Sequence, residues 1–153
     1  MPSVLQRFLL NQLGHIKAHA KEWHAAEFII LQLDEYGYLT LGFKELAEKA
    51  GCDLETTAEA IRIVQSLNPA GVGARDLREC LLLQLTRLKK TDSLEYRILH
   101  DHMKDLSQKQ TLRLLMDIAN ALGVEHREVM QAVGRIKNLH PRPGRGFSSP
   151  ELN

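Results

Sequence analysis

Apolar residues recur at intervals of three and four through almost the whole chain, beginning with Leu5, Phe8, Leu9, Leu13 and Ile16. A helix turns once every ~3.6 residues, so this period stacks the apolar side chains on one face and predicts an all-α fold. Ser3 and Gln6 have the spacing of a capping box, which starts the first helix behind Ser3. Further helices are predicted near residues 22–33, 43–50, 55–67, 76–90, 94–105, 108–122 and 126–139. Asp34-Glu35-Tyr36-Gly37 interrupts the pattern as a turn, Gly51 and Gly123 suit left-handed caps, and Pro69 and Pro141 end the helices before them. From Arg142 onward there is no period, and residues 145–153 are expected to be a flexible tail.

Sliding the chain along itself by 72 residues aligns eleven identities, including Leu9 with Leu81, Gln12 with Gln84, Gly51 with Gly123, Ala60 with Ala132 and Pro69 with Pro141. Leucine matches come cheaply in amphipathic helices, so the weight falls on the glycine, the alanines and the Leu-x-Pro endings. They read either as coincidence or as duplication of a helical unit. Two small helical-bundle subdomains follow from the second reading, 1–70 and 71–144. Within each, an alanine four residues before a turn glycine and then a second helix resembles helix-turn-helix packing.

The peptide Leu67 to Cys80 joins these halves. Pro69 lacks a backbone donor and biases Asn68 away from helix, while Gly71 and Gly73 permit angles that a Cβ penalises. Asp76 is placed to cap the next helix, with Glu79 reaching back to complete a capping box. The corner is therefore expected to be a rigid joint framed by Pro69, Gly71, Gly73 and Asp76. Arg75 is open to two readings, an interface residue or a lock on helix-end carbonyls. Leu81-Leu82-Leu83 with Leu85 and Leu88 makes the following helix apolar over more than one stripe, as burial between two neighbours requires.

Charge tests the helix-turn-helix reading. Net charge is +1, with −3 in residues 1–71 and +4 in residues 72–153. The first would-be recognition helix offers Glu55 and Glu59 to a phosphate backbone against Arg62, and the second sets Glu125 and Glu128 against Arg127, Arg135 and Lys137. Packing or protein contact is the favoured use, and a free-standing DNA-binding regulator is the alternative. His15, His19, Glu22 and His24 could gather a metal if the first two shared a helix face, but no cysteine or second close histidine pair is marked to complete a ligand set, and a solvated polar face is the favoured reading. No cofactor and no metal are expected. Gly71-Val72-Gly73 is followed by neither Lys nor Ser/Thr, and no nucleophile stands beside a marked base, so an enzyme is not expected. Cys52 and Cys80 are read as reduced thiols of a cytoplasmic protein, and the apolar run Phe28–Leu31 is far short of a membrane span.

The corner peptide through Leu85, the upstream Tyr36-Gly37-Tyr38-Leu39-Thr40, and Leu139-His140-Pro141-Arg142-Pro143-Gly144 together resemble the core-binding region of the bacterial sigma-54 transcription factors. The resemblance covers roughly residues 3 to 147. Ala70 stands where the family commonly has a second proline, and His140 where asparagine is usual. The resemblance implies a non-catalytic module of two helical subdomains that binds core RNA polymerase, its first part engaging the β-subunit flap. It further implies that promoter DNA and an ATP-hydrolysing activator are partners of the full-length protein, and that this segment alone does not bind promoter DNA. No activator-responsive segment is read before Ser3 and no promoter-reading motif after Phe147, so the chain is expected to be one domain of a longer factor. Tyr36, Tyr38, Arg75 and Arg78 are the interface candidates, because aromatics and arginines contribute disproportionately to binding. Pro141 and Gly144 complete the structural framework.

Overall fold

A computed structural model describes residues 1–106 and 111–147 of the chain. All the regular structure among these residues is helical, apart from one isolated antiparallel bridge between Leu33 and Leu39. The chain forms two compact units, Met1–Cys80 with the segment from Arg142, and Leu81–Pro141. The packing boundary thus falls after Cys80 rather than at residue 70, because the corner and the start of the next helix pack on the first unit.

The first unit contains α1 (Val4–Leu13), α2 (Ala20–Gln32), α3 (Phe43–Ala50) and α4 (Leu54–Gln65). Ser3 and Gln6 close the capping box on α1, and the Asp53 carboxylate accepts from the Thr56 N–H at the start of α4. Leu5, Leu9, Leu13, Ala26, Ile29, Ile30, Leu46, Ala60, Val64 and Val72 form its core. α2 packs against α4, and the small side chains of Ala26 and Ala60 are both buried in the core these helices share. Each large aliphatic side chain removed from water here contributes about 1.5–3 kcal/mol. Trp23 adds a polar tie, donating from its indole N–H to the Leu13 carbonyl at 3.0 Å.

In the second unit lie most of α5 (Leu77–Arg87), then α6 (Leu94–Asp101), α7 (Met103–Leu106), α8 (Leu112–Leu122) and α9 (His126–Lys137). Leu81, Leu85, Ile98, Leu99, Ile118, Ala119, Val129, Ala132 and Val133 make its core, with Leu82 partly buried against them. One buried carboxylate enters this core: Glu95 accepts from the Arg135 guanidinium at 2.9 Å. The helix expected over 94–105 breaks at His102, whose φ of −128° leaves the helical region. The helix expected from 108 starts at Leu112, where the Thr111 hydroxyl accepts from the Leu114 N–H, and residues 107–110 lie outside the described residues.

Matched features recur inside the two units 72 positions apart. α4 and α9 are the same length, and each follows a glycine at φ +71°, Gly51 and Gly123. No atom lies within 4 Å of a Cβ built on either glycine, so the left-handed backbone rather than crowding selects the residue. The Gln12 side chain clamps residue 68 from both sides, donating to the Asn68 carbonyl at 2.6 Å and accepting from its N–H at 2.8 Å. Gln84 does the same to His140, at 2.5 and 2.9 Å. A shared long-range clamp has no reason to arise from amphipathic patterning alone.

The tail differs from expectation. Pro143–Phe147 forms a short 3-10 helix that packs with the first unit, and the Gly144 N–H donates to the Tyr36 carbonyl at 2.9 Å. The expected flexible segment 145–153 therefore begins inside a helix, and residues 148–153 lie outside the described residues.

Candidate interaction site

Asp34 builds the turn that carries the two tyrosines. Its carboxylate accepts from the N–H groups of Tyr36 and Tyr38, both at 2.9 Å, and its own N–H donates to the Tyr38 carbonyl. Gly37 takes φ +90° at the tip, where a Cβ would also press within 3.2 Å of Val72. Tyr36 and Tyr38 are both half-buried.

The corner from Leu67 lies against this turn. The Gly73 N–H donates to the Gly37 carbonyl and the Leu39 N–H to the Ala74 carbonyl, each at 2.8 Å. Gly71 and Gly73 hold φ of +104° and +81°, and the Asn68–Pro69 peptide is cis. The Gln65 amide donates to the Gly73 carbonyl at 3.0 Å, closing α4 onto the corner. Residues 71 to 74 are buried, and the Val72 and Ala74 N–H groups donate to the Pro69 and Gly71 carbonyls within the corner itself.

Asp76 caps α5 as expected, accepting from the Glu79 N–H at 2.8 Å. Glu79 does not close the box on Asp76. Its carboxylate turns one residue further back, accepting from the Arg75 N–H at 2.8 Å and gripping the Arg75 guanidinium through both oxygens, at 3.2 and 3.0 Å. Burial pushes the Glu79 carboxyl up, but the bonds from Arg75 outweigh it and hold the group below the usual carboxylate range. Arg75 remains about half exposed, so it is fixed in place while still facing solvent. Arg78 is partly buried on the same helix.

Two further partners were not legible from local spacing. The Arg142 guanidinium lies 4.6 Å over the Tyr36 ring, a cation–π contact that joins residues far apart in sequence. Tyr38 meets Cys80, and burial first, then the neighbouring thiol, pushes its hydroxyl well above the usual tyrosine range. Tyr38 is therefore a neutral phenol at any physiological pH. Of the expected residues, the structure brings Tyr36, Tyr38, Gly71, Gly73 and Gly144 into one backbone-bonded assembly, with Arg75 and Asp76 at its edge. Pro141 is assigned by packing to the second unit.

The competing chemistries fare differently. His15 precedes α2 and His19 is its N-cap, so the two do not share a helix face, and among the described residues no three metal-ligating side chains gather. In the helix-turn-helix-like pairs, Arg62 is paired with Glu59 and Arg135 with Glu95, while Arg127 lies 3.8 Å from Glu125. Each of those arginines stands beside a carboxylate of its own unit. Among the described residues no helix is long and apolar enough to cross a membrane.

The family model described as "Sigma-54 factor, core binding domain" matches residues 2–153. The RNA polymerase sigma-54 factor of Caulobacter vibrioides is 37% identical over 124 residues, covering 81% of this chain and 24% of that protein. Its counterpart from Escherichia coli is 32% identical over 153 residues, covering 96% and 31%, and that from Bacillus subtilis 33% over 124 residues, covering 81% and 28%. The chain spans about a quarter to a third of the length of these curated relatives. With the family model matched over nearly the whole chain and the corner, turn and proline framework in place, this protein belongs to the sigma-54 factor core-binding domain family.

Proposed function

We propose that this chain binds core RNA polymerase as the association module of a sigma-54-type factor, and that the Tyr36–Tyr38 turn with the Ala70–Glu79 corner supplies the contact face. What carries the reading is the backbone knitting of turn to corner, which presents Tyr36, Arg75 and Arg78 from a preformed scaffold. A surface already ordered loses little conformational entropy on docking, so its aromatic and arginine side chains convert more of their contact into affinity. Tyr38, Gly71, Gly73, Asp76, Pro69 and Gly144 act beneath it, as framework. Pro141 ends the segment leading out of the second unit.

The module works by association and catalyses nothing, in the cytoplasm. Within the complex its first unit engages the β-subunit flap, and in a full-length factor promoter DNA and an ATP-hydrolysing activator are the remaining partners. The carboxylates beside the arginines of α4 and α9 offset their attraction for a phosphate backbone and support the further reading that this segment alone does not hold promoter duplex. Purified chain mixed with core polymerase should co-elute in gel filtration, while promoter duplex of the same concentration should not shift. Salt-sensitive duplex binding without a polymerase complex would reverse the assignment in favour of a DNA-binding regulator.

A further inference from the structure

The segment Arg142–Phe147 follows the second unit in sequence yet packs with the first. It is fastened to the tyrosine turn in three ways. The Gly144 N–H donates to the Tyr36 carbonyl at 2.9 Å, and the Arg142 guanidinium covers the Tyr36 ring at 4.6 Å. Gly144 is also seated so closely that a Cβ there would come within 2.7 Å of the Glu35 carbonyl oxygen, Leu5 Cδ2 and the Tyr36 carbonyl carbon. Two of those three atoms are backbone, which cannot swing aside as a side-chain end can. The same turn is also bonded to Gly73 and Ala74, so both the corner and this strap fasten the tyrosine turn.

Resting on the reading of this turn as a polymerase contact, we propose that Arg142 and Gly144 are positioning residues: the strap holds the Tyr36 ring and the turn backbone in the docking conformation, and whatever moves the strap sets the affinity. Neither residue has to touch the partner for this to work. A turn released from the strap has to be ordered again on binding, and that entropy is subtracted from the affinity.

The test uses the full chain labelled with fluorotyrosine, whose three tyrosines give separate fluorine NMR signals for Tyr36, Tyr38 and Tyr96. In Arg142→Ala the Tyr36 signal should move, the Tyr96 signal in the second unit should not, and polymerase affinity should fall about threefold, the scale of an exposed cation–π contact. Arg142→Lys, which keeps a cation, should recover most of both. Gly144→Ala removes no side chain that could touch polymerase, and should shift Tyr36 and weaken binding about tenfold or more through displacement alone. A Tyr36 signal that moves in either variant while affinity stays at the wild-type value would overturn the positioning role alone. An unmoved Tyr36 signal in both variants would overturn it too, by showing the strap undocked in solution. Failure of the wild-type chain to bind polymerase, with Tyr36 still responding to Arg142→Ala, would bring down the polymerase reading and this role with it.

Discussion

At Gly73 two constraints coincide: φ is +81°, and a Cβ would lie 3.1 Å from both Gln65 Cγ and Val64 Cγ1. Valine there should cost about 1–3 kcal/mol from backbone strain alone, with crowding against α4 added to it. We expect Gly73→Val to lower the melting temperature and weaken polymerase binding while most of the helical circular dichroism survives. An unchanged affinity would show that the corner is not a required rigid joint. Glu95 gives the residue scale its pH dependence. The hydrogen bond from Arg135 holds its carboxyl below the usual range despite burial. A depressed folded value means that the stabilisation is complete above the unfolded value, near pH 4.5, and is lost as pH falls through the lower folded value. Glu95→Gln should therefore destabilise the protein at pH 7 by about 1–2 kcal/mol, discounted for the half-exposed arginine, and flatten the acid limb of its melting curve. Thermal melts from pH 7 to pH 3 check this; parallel curves for variant and wild type would contradict it.

Among the elements, helices and their ends were the most legible part of the sequence, because caps act over three or four residues. Ser3, Gly51 and Gly123 each sit at the boundary their local chemistry predicts, whereas the caps at Asp53 and Thr111 were not read and the helix expected from 108 starts at Leu112. What spacing could not reveal are contacts set by tertiary packing: Glu79 choosing Arg75 over Asp76, the break at His102, and Arg142 arriving over Tyr36. The short helix Pro143–Phe147 was not foreseen for the same reason, since it has no helical period and its Gly144 is held by another segment's backbone. The paired glutamine clamps lie between these limits. Identity at Gln12 and Gln84 was visible in the shifted alignment, but its purpose was not, because each reaches a backbone 56 positions away. Gln12→Ala leaves the Asn68 N–H and carbonyl without that partner and should cost about 1–3 kcal/mol, while Gln12→Glu keeps the acceptor but sets a carboxylate oxygen against the Asn68 carbonyl and should also destabilise. Chemical denaturation of the two variants measures the losses, and a Gln12→Glu variant as stable as the wild type would show that the clamp's donor half contributes nothing.

For the whole molecule, the family assignment and the all-helical architecture were readable together because the corner, the tyrosine turn and the late proline motif are three separate peptides that point the same way. Their separation also hid the mechanism. Only folding shows that turn, corner and strap meet in one backbone-bonded assembly within the first unit, built from peptides around residues 37, 73 and 144. The central claim is that core polymerase docks on that assembly, and it predicts where protection must appear. Amide hydrogen exchange of the chain, alone and saturated with core polymerase, should show new protection centred on residues 35–40 and 70–79, with the solvent-facing amides of α8 and α9 changing little. Protection confined to α8 and α9, or no change in the turn and corner at saturation, would contradict the account.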